Sequence, residues 1–565
     1  MVEIITEQIN ESEERKSSIE SRIRTWLKDP YNLALVLLAV FVIILYLYYF
    51  FKLGTQPIWW DEGDYLSIGK ELAFNRARPE WWAGFLKIRP LVLPIIFAAF
   101  FKLGIGELPI RFFTELFPAL VSIFLIYIIS KELFNKKIAL IAAFLISVNW
   151  VFMFYTFRLL TDIPSLLFAA LSLYFFWVKY EKPILKGMNE KPIYLWLSIA
   201  FGVLAFLTRY VTALTLIVIA AYMIVTKRFS LLKNKNIWIT LVIALLCFTP
   251  YFAYNYITKG AENTGIYKIF PALRWYHGDE ATAPHRAFAW NTLTFHLPNF
   301  FKSFSLIFFT IGSLVLLELF LYLDIVLKQK DRSKNNLLFC FLGILIPLGY
   351  FIFGIRAVDA RYFIATAPLM FAAAGLGIDF VSRKISKIFK MKYLYFLIVL
   401  AIIFAIGYQQ LTVSNEFIVS RMTSYQEIRE GGIWLKENTP PDAAIITASV
   451  TQNQYYSERQ SYSHNTNDTI FAACTVQDEN LITSLSTNES CQRETEAAFN
   501  RKVMRIGADY YVLSVFEPVF TPQWAYSYPE RYNLTMVKAY AQGNQPILVI
   551  YKYPENFNAF AFEQQ

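Results

Sequence analysis

The chain has 565 residues, of which 56% are hydrophobic, 18% aromatic and only 17% charged, where a soluble domain carries about 25% charge. With a mean hydropathy of +0.39, this excludes a disordered chain, a coiled coil and a disulfide-dense secreted module, and several runs of about 20 nearly uncharged residues call for a bilayer. The net charge of +10, from 53 Lys+Arg against 43 Asp+Glu, is informative only through where it falls, because a membrane protein concentrates basic residues in its cytoplasmic loops.

Residues 1–30 are polar and mixed in charge, a cytoplasmic N-terminal segment rather than a signal peptide, since the apolar run Tyr31 to Phe51 starts late and has no small-residue cleavage site. That run reads as the first transmembrane helix. Further spans are expected near 108–130, 138–156, 162–178, 192–208, 210–226, 236–257, 301–327, 336–355, 361–380 and 393–412. Residues 89–103 hold two prolines and are short, so they read as a helix lying on the outer membrane surface. Residues 192–226 read as two short helices meeting in an outer turn at Thr208-Arg209-Tyr210.

Basic clusters test this order. They fall at Lys131–Lys137, Lys179–Lys191, Lys227–Lys235, Lys328–Lys334 and Arg383–Lys392. With the N-terminus inside and eleven spans, every cluster faces the cytoplasm, which is the positive-inside pattern. The fold class is therefore a polytopic all-α membrane protein with a small extracytoplasmic α/β domain. Its parts are the N-terminal segment 1–30, a transmembrane domain 31–412 with a first outer loop 52–107, and a soluble domain 413–565. The soluble part shows a helical run near 424–437 and apolar strands at 444–448, 510–516 and 546–552. Cys474 and Cys491 lie in its polar insert, where an oxidising compartment allows them either to pair or to stay free; Cys247 and Cys340 read as packing residues. Three sequons, at Asn467, Asn488 and Asn533, are weak support for exposure to that compartment.

This topology gathers unusual charges at one membrane face. Asp61, Glu62 and Asp64 follow the first span, and Lys87 and Arg89 end the same loop. Arg158 and Asp162 flank the next outer turn, Arg209 and Tyr210 another. Arg274, His277, Asp279 and Glu280 belong to the loop 258–300, and Arg356, Asp359 and Arg361 to a short turn. Acids and bases ringing one face above an apolar body suit a substrate that is half lipid and half charged. Plainer readings stand beside this one. Trp59, Trp60, Trp81 and Trp82 suit interfacial anchors, the arginines suit loop charges or snorkelling, and Asp162 suits a helix cap. Glu318 and Asp324, inside a span, suit a buried structural contact. The adjacent pair Asp61-Glu62 is the hardest to dismiss, because two carboxylates beside tryptophans are costly to desolvate without a purpose.

The ordered pieces WWDEGDY (59–65), KIRPLVLP (87–94), RLLTDIPSLLF (158–168), GVLAFLTRY (202–210), DARYFIATAPLMFAAAGLGI (359–378) and GGIWLKENTPPDAAI (431–445) resemble the GT-C fold glycosyltransferases. The branch they resemble is the protein O-mannosyltransferase and aminoarabinose-transferase group. WWDEG is similar to the WWDYG signature of oligosaccharyltransferases, but that signature belongs to a C-terminal domain, where this chain has none. The group's loop carries two adjacent prolines after its basic residue; Arg89-Pro90-Leu91 has one, which leaves Lys87 and Arg89 as alternatives for the phosphate contact.

The resemblance implies an inverting transfer of a sugar from a polyprenyl phosphate, dolichyl or undecaprenyl, to a hydroxyl of a protein, glycan or lipid at the outer face. It makes Asp61 the general base, with Glu62 orienting acceptor or donor. Lys87, Arg89, Arg209 and Arg361 are the donor-phosphate contacts, and Arg158, Asp162, Arg356, Asp359 and Tyr362 complete the site. No cofactor is implied; a divalent metal near Asp61 and Asp162 is the alternative. The expected partners are the lipid-linked sugar, the acceptor and the bilayer, with no nucleic acid, in a multi-pass plasma membrane protein. The rival readings are en bloc oligosaccharide transfer, a lipid-linked-sugar flippase, which would place charges at mid-depth, and a receptor-like protein, which would not need the acidic pair.

Overall fold

A computed structural model describes residues 21–54, 56–75, 89–259, 312, 334–350, 360–465, 474–477, 483–485, 488–517 and 521–558. The span expected at 301–327, Glu318 and Asp324, and the loop residues Arg274, His277, Asp279 and Glu280 lie outside them. The chain divides into two compact units: Met1–Leu53, Phe112–Phe157 and Thr161–Ile418 form one, and Gly54–Arg111, Arg158–Leu160 and Val419–Gln565 the other.

The first unit is helical because its sequence is built of long apolar runs, whose backbone polar groups a helix satisfies internally. Among the described residues, six helices are long and apolar enough to cross a membrane: Pro30–Leu53, Glu107–Leu133, Asp162–Leu185, Tyr210–Lys227, Ile364–Ile388 and Tyr393–Ser420. The pair Lys136–Val148 and Trp150–Thr156, bent by 58°, makes a seventh if counted as one span. Pro192–Thr208, Lys235–Tyr251 and Asn335–Gly349 are shorter apolar helices, as is Val92–Lys102 in the other unit. All fall where apolar runs were expected, and the multi-pass membrane architecture holds.

The break at Arg209 is real: its backbone is extended, at φ −154° and ψ 118°. The helices on either side fold back on each other, because a Cβ on Gly202 would lie 2.3 Å from Cδ2 of Leu216, whereas a continuous helix would hold those residues about 21 Å apart. Gly375, in the small-residue run of DARYFIATAPLMFAAAGLGI, serves a similar close approach; a Cβ there would meet the carbonyl oxygen of Ile138 at 2.7 Å. An aromatic core holds the unit. Trp177 stacks on Phe339 at 4.9 Å, with Phe176 and Tyr222 buried around them, and Cys340 is buried in the same cluster.

The second unit carries the predicted α/β fold. Its main sheet has the order β2-β1-β5-β7-β6, where β1 is Ala444–Thr447, β2 Gln460–Tyr462, β5 Tyr510–Ser514, β6 Thr535–Gln542 and β7 Gln545–Lys552. β2, β1 and β5 run parallel, and β7 and β6 antiparallel. Successive strand residues face opposite layers. Ile445, Tyr510 and Val512 pack with Ile428 and Leu435 of helix Gln426–Asn438, while Ile446 and Tyr511 pack with Phe499 and Val503 of helix Glu489–Ile506 and with Trp524 and Tyr528. β3 (Thr475–Gln477) and β4 (Thr483–Leu485) form a separate hairpin-like ladder. Cys474 and Cys491 are joined in a disulfide, Cα to Cα 5.4 Å. Asn488 caps helix Glu489–Ile506, accepting from the Ser490 backbone N–H at 3.0 Å. The first loop contributes helix Trp60–Phe74, against which Val92–Lys102 packs: a Cβ on Gly69 would fall 2.8 Å from Cβ of Phe97.

Candidate active site

The acidic helix begins at Trp60, and its third residue, Glu62, closes the first turn by accepting the Trp59 backbone N–H at 2.5 Å. Asp61 and Glu62 in that turn also face the positive end of the helix dipole. The three acids then part company. Glu62 is 0% exposed. Its carboxylate also accepts the Leu159 backbone N–H at 2.6 Å and faces the guanidinium groups of Arg158 at 3.5 Å and Arg111 at 3.8 Å. Asp64 is 4% exposed, and Asp61, at 27%, is the open one. Arg89 bridges the last two, donating to Asp61 and, at 3.0 Å, to Asp64. Burial pushes the Asp64 carboxyl well above the usual carboxylate range, against the pull of Arg89.

Arg158 is buried and fixed by several contacts. It donates to the carbonyl oxygens of Pro57 at 3.3 Å and Arg421 at 3.2 Å, and lies 4.0 Å over the Trp59 ring. Burial lowers its pKa to about 10, so it remains cationic at neutral pH. Arg111 donates to Glu107 at 2.9 Å and to the Gln56 carbonyl oxygen at 3.4 Å. Arg158 and Glu62 thus clamp the segment Arg158–Leu160 to the start of the acidic helix, and neither has its charge open to solvent. Trp59 sits under Arg158, and the Trp60 indole N–H donates to Glu517; both rings have specific polar partners.

A second cluster forms in the other unit. Arg209 donates to Asp162 at 2.9 Å and to Thr161 at 3.2 Å. The guanidiniums of Arg209 and Arg361 each lie 5.6 Å from the Tyr362 ring. Residues 162, 209, 361 and 362, far apart in the chain, are therefore brought together. Asp162 starts its helix, and its carboxylate meets Arg209; the helix has Thr161 at its N-cap position and no side-chain cap. Lys87, Arg356, Asp359, Trp81 and Trp82 lie outside the described residues. Among the described residues no group of three His, Cys, Asp or Glu is placed to hold a metal ion.

Sequence reading passed over Arg111 and Glu517. Arg111 is a lone base where an apolar run begins, a position that usually means snorkelling; Glu517 is a lone acid ending the apolar stretch of β5. The available signal in both was an isolated charge abutting a hydrophobic segment.

Residues 88–254 match the family model described as dolichyl-phosphate-mannose-protein mannosyltransferase. An uncharacterised protein of Aquifex aeolicus (strain VF5) is 26% identical over 235 residues, 40% of this chain and 44% of that protein, so the match spans less than half of this relative. Among solved structures, ArnT from Cupriavidus metallidurans bound to undecaprenyl phosphate superposes with a TM-score of 0.57 at 12% identity, over 91% of this chain and 97% of its own. The archaeal oligosaccharyltransferase AglB from Archaeoglobus fulgidus, in complex with an inhibitory peptide and a dolichol-phosphate, gives 0.55 at 14%, over 94% and 75%. The arabinofuranosyltransferase AftD from Mycobacteria gives 0.52 at 12%, over 92% and 40%.

These matches define a class: the chain is a multi-pass membrane protein with the GT-C glycosyltransferase fold. The resemblance to the GT-C fold read from its motifs holds, and the segment matched by the mannosyltransferase family model contains Arg89, Arg158, Asp162 and Arg209.

Proposed function

We propose that this protein transfers a sugar from a polyprenyl-phosphate donor to an acceptor hydroxyl, with inversion. The observation that carries the reading is the unequal burial of the acidic turn. Of Asp61, Glu62 and Asp64, Asp61 alone is partly exposed, and a basic side chain of the same loop, Arg89, pairs with it.

In this reading Asp61 takes the proton of the acceptor hydroxyl as that oxygen bonds to the anomeric carbon. The bond from the anomeric carbon to the phosphate oxygen breaks on the opposite face, and its electron pair leaves on the lipid phosphate. That leaving group is already a stable anion and needs charge stabilisation rather than a proton. Arg89 is the proposed contact, because a guanidinium presents several donors and so contacts a carboxylate and a phosphate together. Glu62 and Arg158 position the turn and do not touch substrate. Arg209, Arg361 and Tyr362, with Asp162, form the proposed second contact region for the donor, with Lys87, Arg356 and Asp359 further candidates. No metal is invoked. The acidic turn and the soluble domain face the extracytoplasmic side, as the basic clusters imply, and the acceptor is a protein, glycan or lipid hydroxyl.

The test uses membranes from a strain deleted for the gene, which retain the native donor and acceptor. Wild-type chain should restore the missing glycan residue, read by mass spectrometry, and Asp61→Asn should not, at equal membrane abundance. Full restoration by Asp61→Asn would reject this assignment. En bloc transfer would instead restore a whole oligosaccharide, and if the chain were a flippase its deletion would strand lipid-linked sugar on the cytoplasmic leaflet.

A further inference from the structure

We propose that Glu517 is a positioning residue for transfer: from the end of β5 its carboxylate receives the Trp60 indole N–H and the Tyr425 hydroxyl, and so fixes the helical turn that carries Asp61. The proposal rests on Asp61 as the base.

Several contacts converge on that turn from the C-terminal stretch of the chain. Thr451 Oγ1 donates to the Trp60 carbonyl oxygen at 3.2 Å, and the Ile58 backbone N–H donates to the Tyr456 hydroxyl at 2.8 Å. Helix Val450–Ser457 lies so close that a Cβ on Gly63 would fall 2.8 Å from Thr451 Oγ1 and 3.1 Å from the Gln452 backbone nitrogen. Glu517 differs from these contacts in kind. It is an acid 8% exposed at the carboxyl end of a parallel strand, and a buried acid is costly unless hydrogen-bonded. β1 sends one connection to β2 on one side and has β5 on the other, a switch in strand order of the sort where open α/β sheets place functional groups.

Tyr425 adds a second sign of purpose. It is a bulky residue at φ 69° and ψ 21°, in the left-handed region, a strained conformation that persists where surroundings impose it. Its ring also packs on Phe516, at 5.6 Å. The ionisable groups acting here are Tyr425, whose hydroxyl burial pushes up to about 12, and, through it, the guanidiniums of Arg421 and Arg158. Among the described residues no charged group acts directly on Glu517: burial pushes its carboxyl up to about 7, opposed by the hydrogen bonds from Trp60 and Tyr425. Both donors bind a charged acceptor more strongly than a neutral one. Ionisation of Glu517 near neutrality therefore tightens the turn that holds Asp61.

The experiment measures initial transfer rates in the same deletion-strain membranes from pH 5.5 to 8.5. Wild type should rise through an inflection near pH 7. Glu517→Gln keeps an acceptor for the indole but cannot ionise, so its rate should lose that inflection and stay near the acid plateau. Trp60→Phe removes a hydrogen bond that holds the Glu517 carboxyl down, so the inflection should move up by about half a unit. Glu517→Ala should lose about tenfold to a hundredfold in rate, the scale expected of a misplaced base, and regain part of it as the Gln variant. If Glu517→Ala does not accumulate, the inflections of the Gln and Phe variants still decide. An inflection retained in Glu517→Gln, or unmoved in Trp60→Phe, overturns the proposal while Asp61→Asn remains inactive. An active Asp61→Asn instead overturns the assignment of the base.

Discussion

Glu62 and Asp61 are neighbours in sequence with opposite exposures, and substitution should separate them. Glu62 satisfies two backbone N–H groups and faces two buried guanidiniums. Glu62→Ala would leave Arg158 and Arg111 short of their common counter-charge inside the protein. Breaking a buried ion pair by removing one partner costs about 3–5 kcal/mol, so this variant should unfold at markedly lower temperature in detergent, or fail to accumulate. Asp61→Asn, at a partly exposed position, should unfold within a degree or two of wild type. Equal thermal stability of Glu62→Ala and wild type would remove the clamp described above. The acidic pair was visible in the sequence because two carboxylates beside two tryptophans after a span are improbable without a cause. Which of the two would be sequestered was not visible, since Leu159, Arg158 and Arg111 reach Glu62 from segments about 50 to 100 residues away. Glu517 was hidden for the same reason: its partner Trp60 is 457 residues distant, and no local pattern encodes so remote a contact.

At the scale of elements, Gly63 tests whether close packing holds the acidic helix. In an exposed helix interior, Gly→Ala stabilises by about 0.5–1 kcal/mol, because glycine loses more backbone freedom on folding. Here the added methyl would meet Thr451 Oγ1 at 2.8 Å and the Thr451 backbone carbon at 3.0 Å. A backbone atom cannot swing aside as a side chain can, so the helices must separate. Gly63→Ala should therefore destabilise by about 1–3 kcal/mol, the usual range for overpacking, and pairing it with Thr451→Ala should recover only part of that, because the backbone contact remains. A stabilised Gly63→Ala would mean that the approach is looser than described. Elements were the most legible level of this chain. Apolar runs located the helices because a span leaves no alternative to internal hydrogen bonding, and the hairpin at Arg209 followed from charge parity. The bend of 58° at Asn149 was not legible: Asn149 both ends one helix and caps the next, accepting from Phe152 N–H at 3.1 Å, and a polar residue inside an apolar run gives no sign of that double role. Strands β1, β5 and β7 were found from their apolar runs, whereas β6, with most of its residues exposed, carries no hydrophobic signature to read.

At the scale of the whole molecule, the sequence distributes charge in a way that implies one orientation. Basic clusters recur along the chain, and the proposed orientation rests on the positive-inside rule: those turns in the cytoplasm and the C-terminal domain outside. The Cys474–Cys491 disulfide belongs to that proposal, since such bonds persist in oxidising compartments and are rare in a reducing cytosol. Its pairing could not be read from spacing alone, because the intervening insert has no pattern that fixes its geometry. Orientation is open to direct measurement with cysteines placed at exposed sites. Met536 lies on β6, 61% exposed, and Phe229 lies in the basic turn after helix Ala213–Lys227, 84% exposed. A membrane-impermeant maleimide applied to intact cells should label Met536→Cys and spare Phe229→Cys, with both labelled once the membrane is opened. Labelling of Phe229→Cys alone in intact cells would invert the orientation and place Asp61 on the nucleotide-rich side. There, a lipid-phosphate donor would compete with nucleotide sugars, and the reason for a leaving group that needs no protonation would have to be sought elsewhere.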